Sequence, residues 1–357
     1  MALDGSCFEL PDEADNVEAF GRPGSRTGFS AYPQARCAVL VECATHAVLG
    51  ANLAPYRTEE FEVCRPLLER LGPDMLCLAD RGFDGFEYWR QARATGAQLL
   101  WRCMKSRRLP VLRRLDDGSY ISAICPPKVG RAQAAEQAQE VRVIEYSLPG
   151  VPSPNGHAQT EPRYRLITSL LDPQAAPAAE LAALYHQRWH VGAVFDELKT
   201  HLLGGRRVLR SKKAELVRQE FYGWVLAHYA VRWLLHQGAS RHPEPHATRF
   251  FAGHVHLLRR TQPHSGGLSP PGRARKRRRW FNDLLDACRK LRAVRTLGRR
   301  NSRMVKRRNS PFKSHDRHLA KHVPADTTPR IIEPPTMHRS QQPMRPHLMR
   351  RFGFDNP

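Results

Sequence analysis

The stretch LYHQRWHVGAVFDELKTHL, Leu184 to Leu202, decides how the rest of the chain is read. Leu184, Trp189, Val191, Val194, Phe195, Leu198 and Leu202 recur at three- and four-residue intervals, which predicts an amphipathic helix with one buried face. At about 100° per residue, Tyr185, Arg188, Gly192 and Lys199 fall near a common stripe on the flank of that face. An aromatic hydroxyl and two cations in a row suit a polyanion. In isolation, the same pattern also suits a core helix with a solvated charged face.

The flanks sharpen the choice. Pro177 opens the helix and Gly204-Gly205 closes it, after which Arg206, Arg207, Arg210, Lys212 and Lys213 form a basic connection. Glu215 to Leu235 predicts a second amphipathic helix, with Phe221, Tyr222, Trp224, Tyr229 and Trp233 on its buried side. Upstream, Met75 to Ala79 is a short apolar run between turn signals, the pattern of a central strand covered on both faces. It delivers Asp80 to its carboxyl end, followed by Arg81-Gly82-Phe83, a helix from about Gly85 to Thr95 and a strand from Gln98 to Cys103. Before it come a strand fragment running into Asp4-Gly5, a loop from Asp12 to Ala31, a hairpin (Ala35 to Cys43 and His46 to Leu53), and a helix capped by Thr58 that runs to Leu71.

The DGS start at Asp4, the DRGF motif at Asp80, the Tyr185, Arg188, Gly192 and Lys199 spacing, and RMVKRR at Arg303 to Arg308 occur in that order. Together they resemble DDE transposases of the insertion sequence 4 family, whose YREK signature carries a catalytic Glu where this chain has Gly192. The resemblance covers roughly residues 2 to 235. It implies an RNase H-like α/β fold, a mixed sheet flanked by helices, in which the first and fourth strands are neighbours and bring Asp4 and Asp80 together. It also implies phosphodiester cleavage and strand transfer at transposon ends, with Asp4 and Asp80 as ligands of Mg²⁺ or Mn²⁺, because hard cations take carboxylate oxygens. Tyr185, Arg188 and Lys199 then match residues that contact the DNA backbone, and Arg206, Arg207 and Arg210 extend that contact.

Two departures follow from the same comparison. Gly192 supplies no ligand; Asp196, one turn on, is the nearest substitute, while Glu197 points elsewhere. The family also places a DNA-binding region before the first Asp. A degenerate or truncated copy with impaired cleavage is expected, the rivals being an RNase H-like nuclease and a DNA-binding remnant that does not cut.

Composition agrees with a nucleic-acid partner. The 357 residues carry 57 Lys and Arg against 34 acids, a formal charge of +23 and a pI near 10.4. The eight Cys show no CxxC pair or zinc spacing and read as reduced thiols of a cytoplasmic, nucleoid-associated protein. No signal peptide or membrane span is expected, because the longest apolar run, Phe221 to Leu235, is short and holds His228 and Arg232. The expected organisation is 1–104, the first part of the catalytic domain; 105–162, a β-rich insertion; 163–236, its second part; 237–323, a basic region; and 324–357, a disordered tail. Double-stranded DNA and a homodimer formed on it are the expected partners.

Overall fold

The computed structural model describes residues 1–25, 28–127, 133, 136–147, 163–204, 208–239, 251–261, 274–291 and 328–334. Arg206 and Arg207, most of the Ala/Gln/Glu stretch, and the second basic cluster lie outside them. The chain is α/β, a mixed sheet flanked by helices, and divides into two compact units: residues 1–82 with 187–295, and 83–186 with 296–357.

The first unit begins with β1 (Ala2–Glu9), α1 (Ala14–Phe20), the small pair β2 (Gly24–Ser25) and β3 (Gly28–Phe29), then the hairpin β4 (Gln34–Val41) and β5 (Val48–Pro55). The expected loop from Asp12 to Ala31 therefore contains a helix, which buries Asn16 and Phe20; seven residues are too few to show a helical period in the sequence. After the hairpin come α2 (Glu60–Cys64), a 3₁₀ stretch over Arg65–Arg70, and β6 (Leu76–Ala79). The helix expected to reach Leu71 changes type at Arg65 because Pro66 has no N–H to continue the α-helical ladder. Its N-cap is Glu59 rather than Thr58, with no side-chain cap. The strand order is β5-β4-β1-β6, antiparallel except for the parallel β1/β6 pair. β4 is the apolar centre, buried throughout from Cys37 to Val41.

The second unit holds α3 (Phe86–Ala94), β7 (Gln98–Arg102), β8 (Arg113–Arg114), β9 (Tyr120–Ile124), β10 (Gln139–Ser147), β11 (Arg163–Thr168) and α4 (Ala178–Tyr185). Its strands run in the order β7-β11-β10-β9-β8. Trp89 and Trp101 pack edge to face in its core, and the fully buried Arg142 is satisfied by Asp117, Ser119 and the Leu170, Asp172 and Ala176 carbonyls. Part of the tail expected to be disordered, β12 (Arg330–Ile331), pairs with β10.

The chain returns to the first unit through a 3₁₀ turn over His186–Trp189, α5 (His190–Asp196) and a π-helical turn over Glu197–Leu202, ended by Gly204 at φ 69°. The predicted single helix is thus broken into three types of turn. Long helices follow: α6 (Ala214–Ala239), α7 (Phe251–Thr261), which was not anticipated, and α8 (Ala274–Lys290), into which most of the RARKRRR run is drawn. The buried aromatic side expected of α6 holds for Phe221 alone among the fully buried; Tyr222, Tyr229 and Trp233 are exposed. Among the described residues, no helix is long and apolar enough to cross a membrane.

Candidate active site

β1 and β6 are parallel with Ala2 opposite Leu78, so two residues further along each strand Asp4 and Asp80 stand at matching positions on the same face. Asp4 was expected to end its strand. It lies inside, because β1 continues to Glu9 against β4 after β6 has stopped at Ala79. The short neighbour opens the sheet where the acids sit. Gly5 N–H donates to Asp4 Oδ1 at 3.0 Å, and the Arg188 guanidinium lies 3.5 Å from Asp4 Oδ2. Burial pushes the Asp4 carboxyl above its ordinary range, Arg188 and the Gly5 N–H pull it back, and the charge of Asp80 pushes it up again.

Asp80 is fixed by its own turn. Its Oδ1 accepts from Gly82 N–H at 2.7 Å, and a Cβ at Gly82 would stand 2.9 Å from that oxygen, so the glycine of DRGF is required by the closeness of the carboxylate.

Glu60, the first residue of α2, is a third carboxylate at this place. A Cβ on Gly5 would collide with its carboxylate, whose Cδ lies 2.9 Å from that position. Burial first, then the charges of Asp4 and Asp80, push its carboxyl up, while Arg36 and the Gly5 N–H pull it down. A Gly directly after a strand Asp is the one signal for such a notch. The donor set of Asp4, Asp80 and Glu60 is all oxygen and mutually repelling, which fits a hard divalent cation. Among the described residues, no group of three or more His, Cys, Asp or Glu side chains is gathered closely enough to hold a metal ion.

Lys199 faces the same strand, donating to Ser6 Oγ at 2.6 Å and to the Cys7 carbonyl at 2.7 Å, with its ammonium 4.8 Å from the Phe8 ring centroid. Burial lowers its pKa. Gly192 is exposed, and a Cβ there meets nothing within 4 Å. Asp196 is exposed and engaged along its own helix, accepting from Thr200 Oγ1 at 2.7 Å with His201 at 3.6 Å. Tyr185 is buried in the second unit beside His186, which in turn packs edge-on against Tyr146 and Tyr164. Arg210 is exposed, its backbone N–H bound to the Glu220 carboxylate.

On the other side of the helix, Glu197 turns into the core, as its spacing from Gly192 requires. Its carboxylate receives His46 Nδ1 at 3.0 Å, His228 Nε2 at 2.8 Å, Arg232 Nε at 3.0 Å and a second contact from the Arg232 guanidinium. His46, held at a left-handed φ of 61° in the β4–β5 turn, also meets His190 Nδ1 at 2.8 Å. Burial alone would raise the Glu197 carboxyl; His228, His46 and Arg232 outweigh it and hold it down to about 2. This network fixes the rotation of the helix that carries Arg188 and Lys199. Glu197 and Lys199, two residues apart, face opposite sides of the helix, as about 100° per residue requires.

The site thus sets an open carboxylate pair at the mouth of two parallel strands beside an Arg and a Lys from one helix. Residues 1–230 match the family described as the transposase DDE domain, and the chain belongs to that family. The α/β fold is that of RNase H-like transposase domains. The chain is similar to the transposase InsG for insertion sequence element IS4 of Escherichia coli (strain K12), 27% identical over 237 residues, 65% of this chain and 51% of that protein. It is also similar to the putative transposase InsZ of the same organism, 31% identical over 84 residues, 23% of this chain and 28% of that one. The chain thus spans about half the length of InsG.

Proposed function

We propose that the chain is an insertion-sequence transposase acting on duplex DNA at transposon ends, with Mg²⁺ or Mn²⁺ as cofactor and cleavage impaired by Gly192. The observation that carries this reading is the placement of Asp4 and Asp80 at matching positions of adjacent parallel strands, with Arg188 beside Asp4. Asp4 and Asp80 would hold the metal. When bound, it would activate the attacking water or 3′ hydroxyl and offset charge on the phosphodiester. Arg188 neutralises a phosphate oxygen as well as Asp4, and Lys199 supplies a point charge held to β1. Tyr185, Arg206, Arg207 and Arg210 are read as further backbone contacts, and a homodimer on DNA in the nucleoid as the working form.

Position 192 has room for a glutamate and lies on the stripe of Arg188 and Lys199. Cleavage of a transposon-end duplex with Mg²⁺ or Mn²⁺ should be slow in the natural chain, rise in Gly192→Glu, and vanish when Asp80→Ala is added. Efficient cutting by the natural chain that Asp196→Ala abolishes would transfer the third ligand to Asp196. Cutting of any duplex regardless of end sequence would make the chain a nuclease.

A further inference from the structure

The best-formed exposed apolar feature of the first unit lies on α6. Tyr222 is 40% exposed, Leu226 67%, Tyr229 46% and Trp233 45%. Their spacing of four, three and four residues keeps all four within about 60° around the helix, so they form one stripe rather than scattered surface residues. Trp233 stacks on Phe281 of α8, centroids 6.2 Å apart and planes at 27°, and further along a Cβ at Gly238 would stand 3.6 Å from Cys288 Cβ. Later residues of one helix meet later residues of the other, so α6 and α8 run in the same direction. The first turns of α8 therefore lie alongside the Leu226 to Tyr229 part of the stripe. Those turns expose Arg275, Lys276, Arg278 and Arg279, and no acid occurs between Ala274 and Asn282.

Two exposed tyrosine rings, Tyr222 and Tyr229, flank Leu226 on a stripe bordered by cations, an arrangement that holds unpaired nucleotides with bases on the rings and phosphates on the cations. A duplex hides its base faces and would leave the stripe unused. A second copy laid on the stripe would bring its own basic α8 to this one, like charge against like. We propose that the α6 stripe and the basic start of α8 form a binding surface for single-stranded DNA, separate from the Asp4–Asp80 site. The proposal rests on the transposase reading only for DNA being the polyanion at hand.

The test uses the full chain, a labelled oligothymidylate strand and a mixed-sequence duplex, with binding followed by anisotropy. Tyr222→Ala/Tyr229→Ala should weaken single-strand binding about tenfold or more and leave duplex binding within about twofold. Tyr229→Leu, which keeps apolar bulk but removes the π-face, should repeat part of the loss even if the double variant folds poorly. Arg275→Gln/Lys276→Gln should reduce the salt dependence of single-strand binding by about 0.7 per cation. Unchanged single-strand affinity in all three variants overturns the proposal. If those variants instead lose self-association in sedimentation, the stripe belongs to a second copy and the proposal falls. Metal-dependent cleavage by Gly192→Glu, scored with and without Asp80→Ala, reports on the transposase reading independently: tyrosine-dependent strand binding with no cleavage by Gly192→Glu sinks that reading and keeps this surface.

Discussion

Arg188 stands 3.5 Å from Asp4, the cation of the helix reaching the acid of the first strand. It counters a burial penalty that would otherwise drive the carboxyl further toward its neutral form. In Arg188→Met, Asp4 should therefore titrate at higher pH than in the natural chain, a difference readable by NMR of the carboxyl carbon. An unchanged titration would mean that the ion pair does not persist in solution.

The raised carboxyls of Asp4 and Glu60 carry a stability cost. Folded pKa values above the unfolded ones favour the fold at low pH, and that contribution is lost as pH rises through the folded values. Asp4→Asn and Glu60→Gln should each raise the melting temperature at pH 7, on the order of a few degrees, and the gain should shrink below about pH 4. Added Mn²⁺ should narrow the same gap from the other side by stabilising the natural chain. Melting that Mn²⁺ leaves unchanged at all concentrations would remove the acids as metal ligands.

Glu197 is buried with Arg232, so removing either charge alone strands the other. Glu197→Ala should cost about 3 to 5 kcal/mol in urea unfolding. Glu197→Leu combined with Arg232→Met should recover most of that loss, because an apolar pair leaves no buried charge behind. A double variant as unstable as the single one would show that the pair contributes by more than its charge balance.

His190 and His228 have pKa values lowered chiefly by burial. The fold holds them neutral while the unfolded chain protonates them near pH 6.5, so their contribution is present above that pH and lost as pH falls. Glu197, depressed from 4.5 to about 2, contributes fully above its unfolded value and loses that contribution only as pH falls from there toward 2, below the window of the histidines. Stability should thus decline between pH 7 and 5, and His228→Asn should flatten that decline. An equal slope in both proteins would place the acid sensitivity elsewhere.

Part of the candidate site's placement was legible in the chain. The run Met75 to Ala79 with its DRGF turn gave both the strand and the position of Asp80, because a continuous apolar run bounded by turns has few other outcomes. The break of the Leu184–Leu202 helix was not legible. Nor were the partners of Glu197: His46, His228 and Arg232 are distant from it in sequence and leave no periodic trace near it. The aromatics of α6 misled for a different reason: Tyr and Trp satisfy an amphipathic pattern whether they face a core or a ligand, so periodicity found the stripe without telling which side it was on.

The empty space around Gly192 has one more consequence. No neighbour lies within 4 Å of a Cβ built at that position, so no packing contact depends on what stands there. Selection for a stable, well-expressed protein is blind to it, and only selection for movement of DNA can hold it. On the transposase reading proposed above, the residue that would complete the chemistry is the one drift can erase unnoticed.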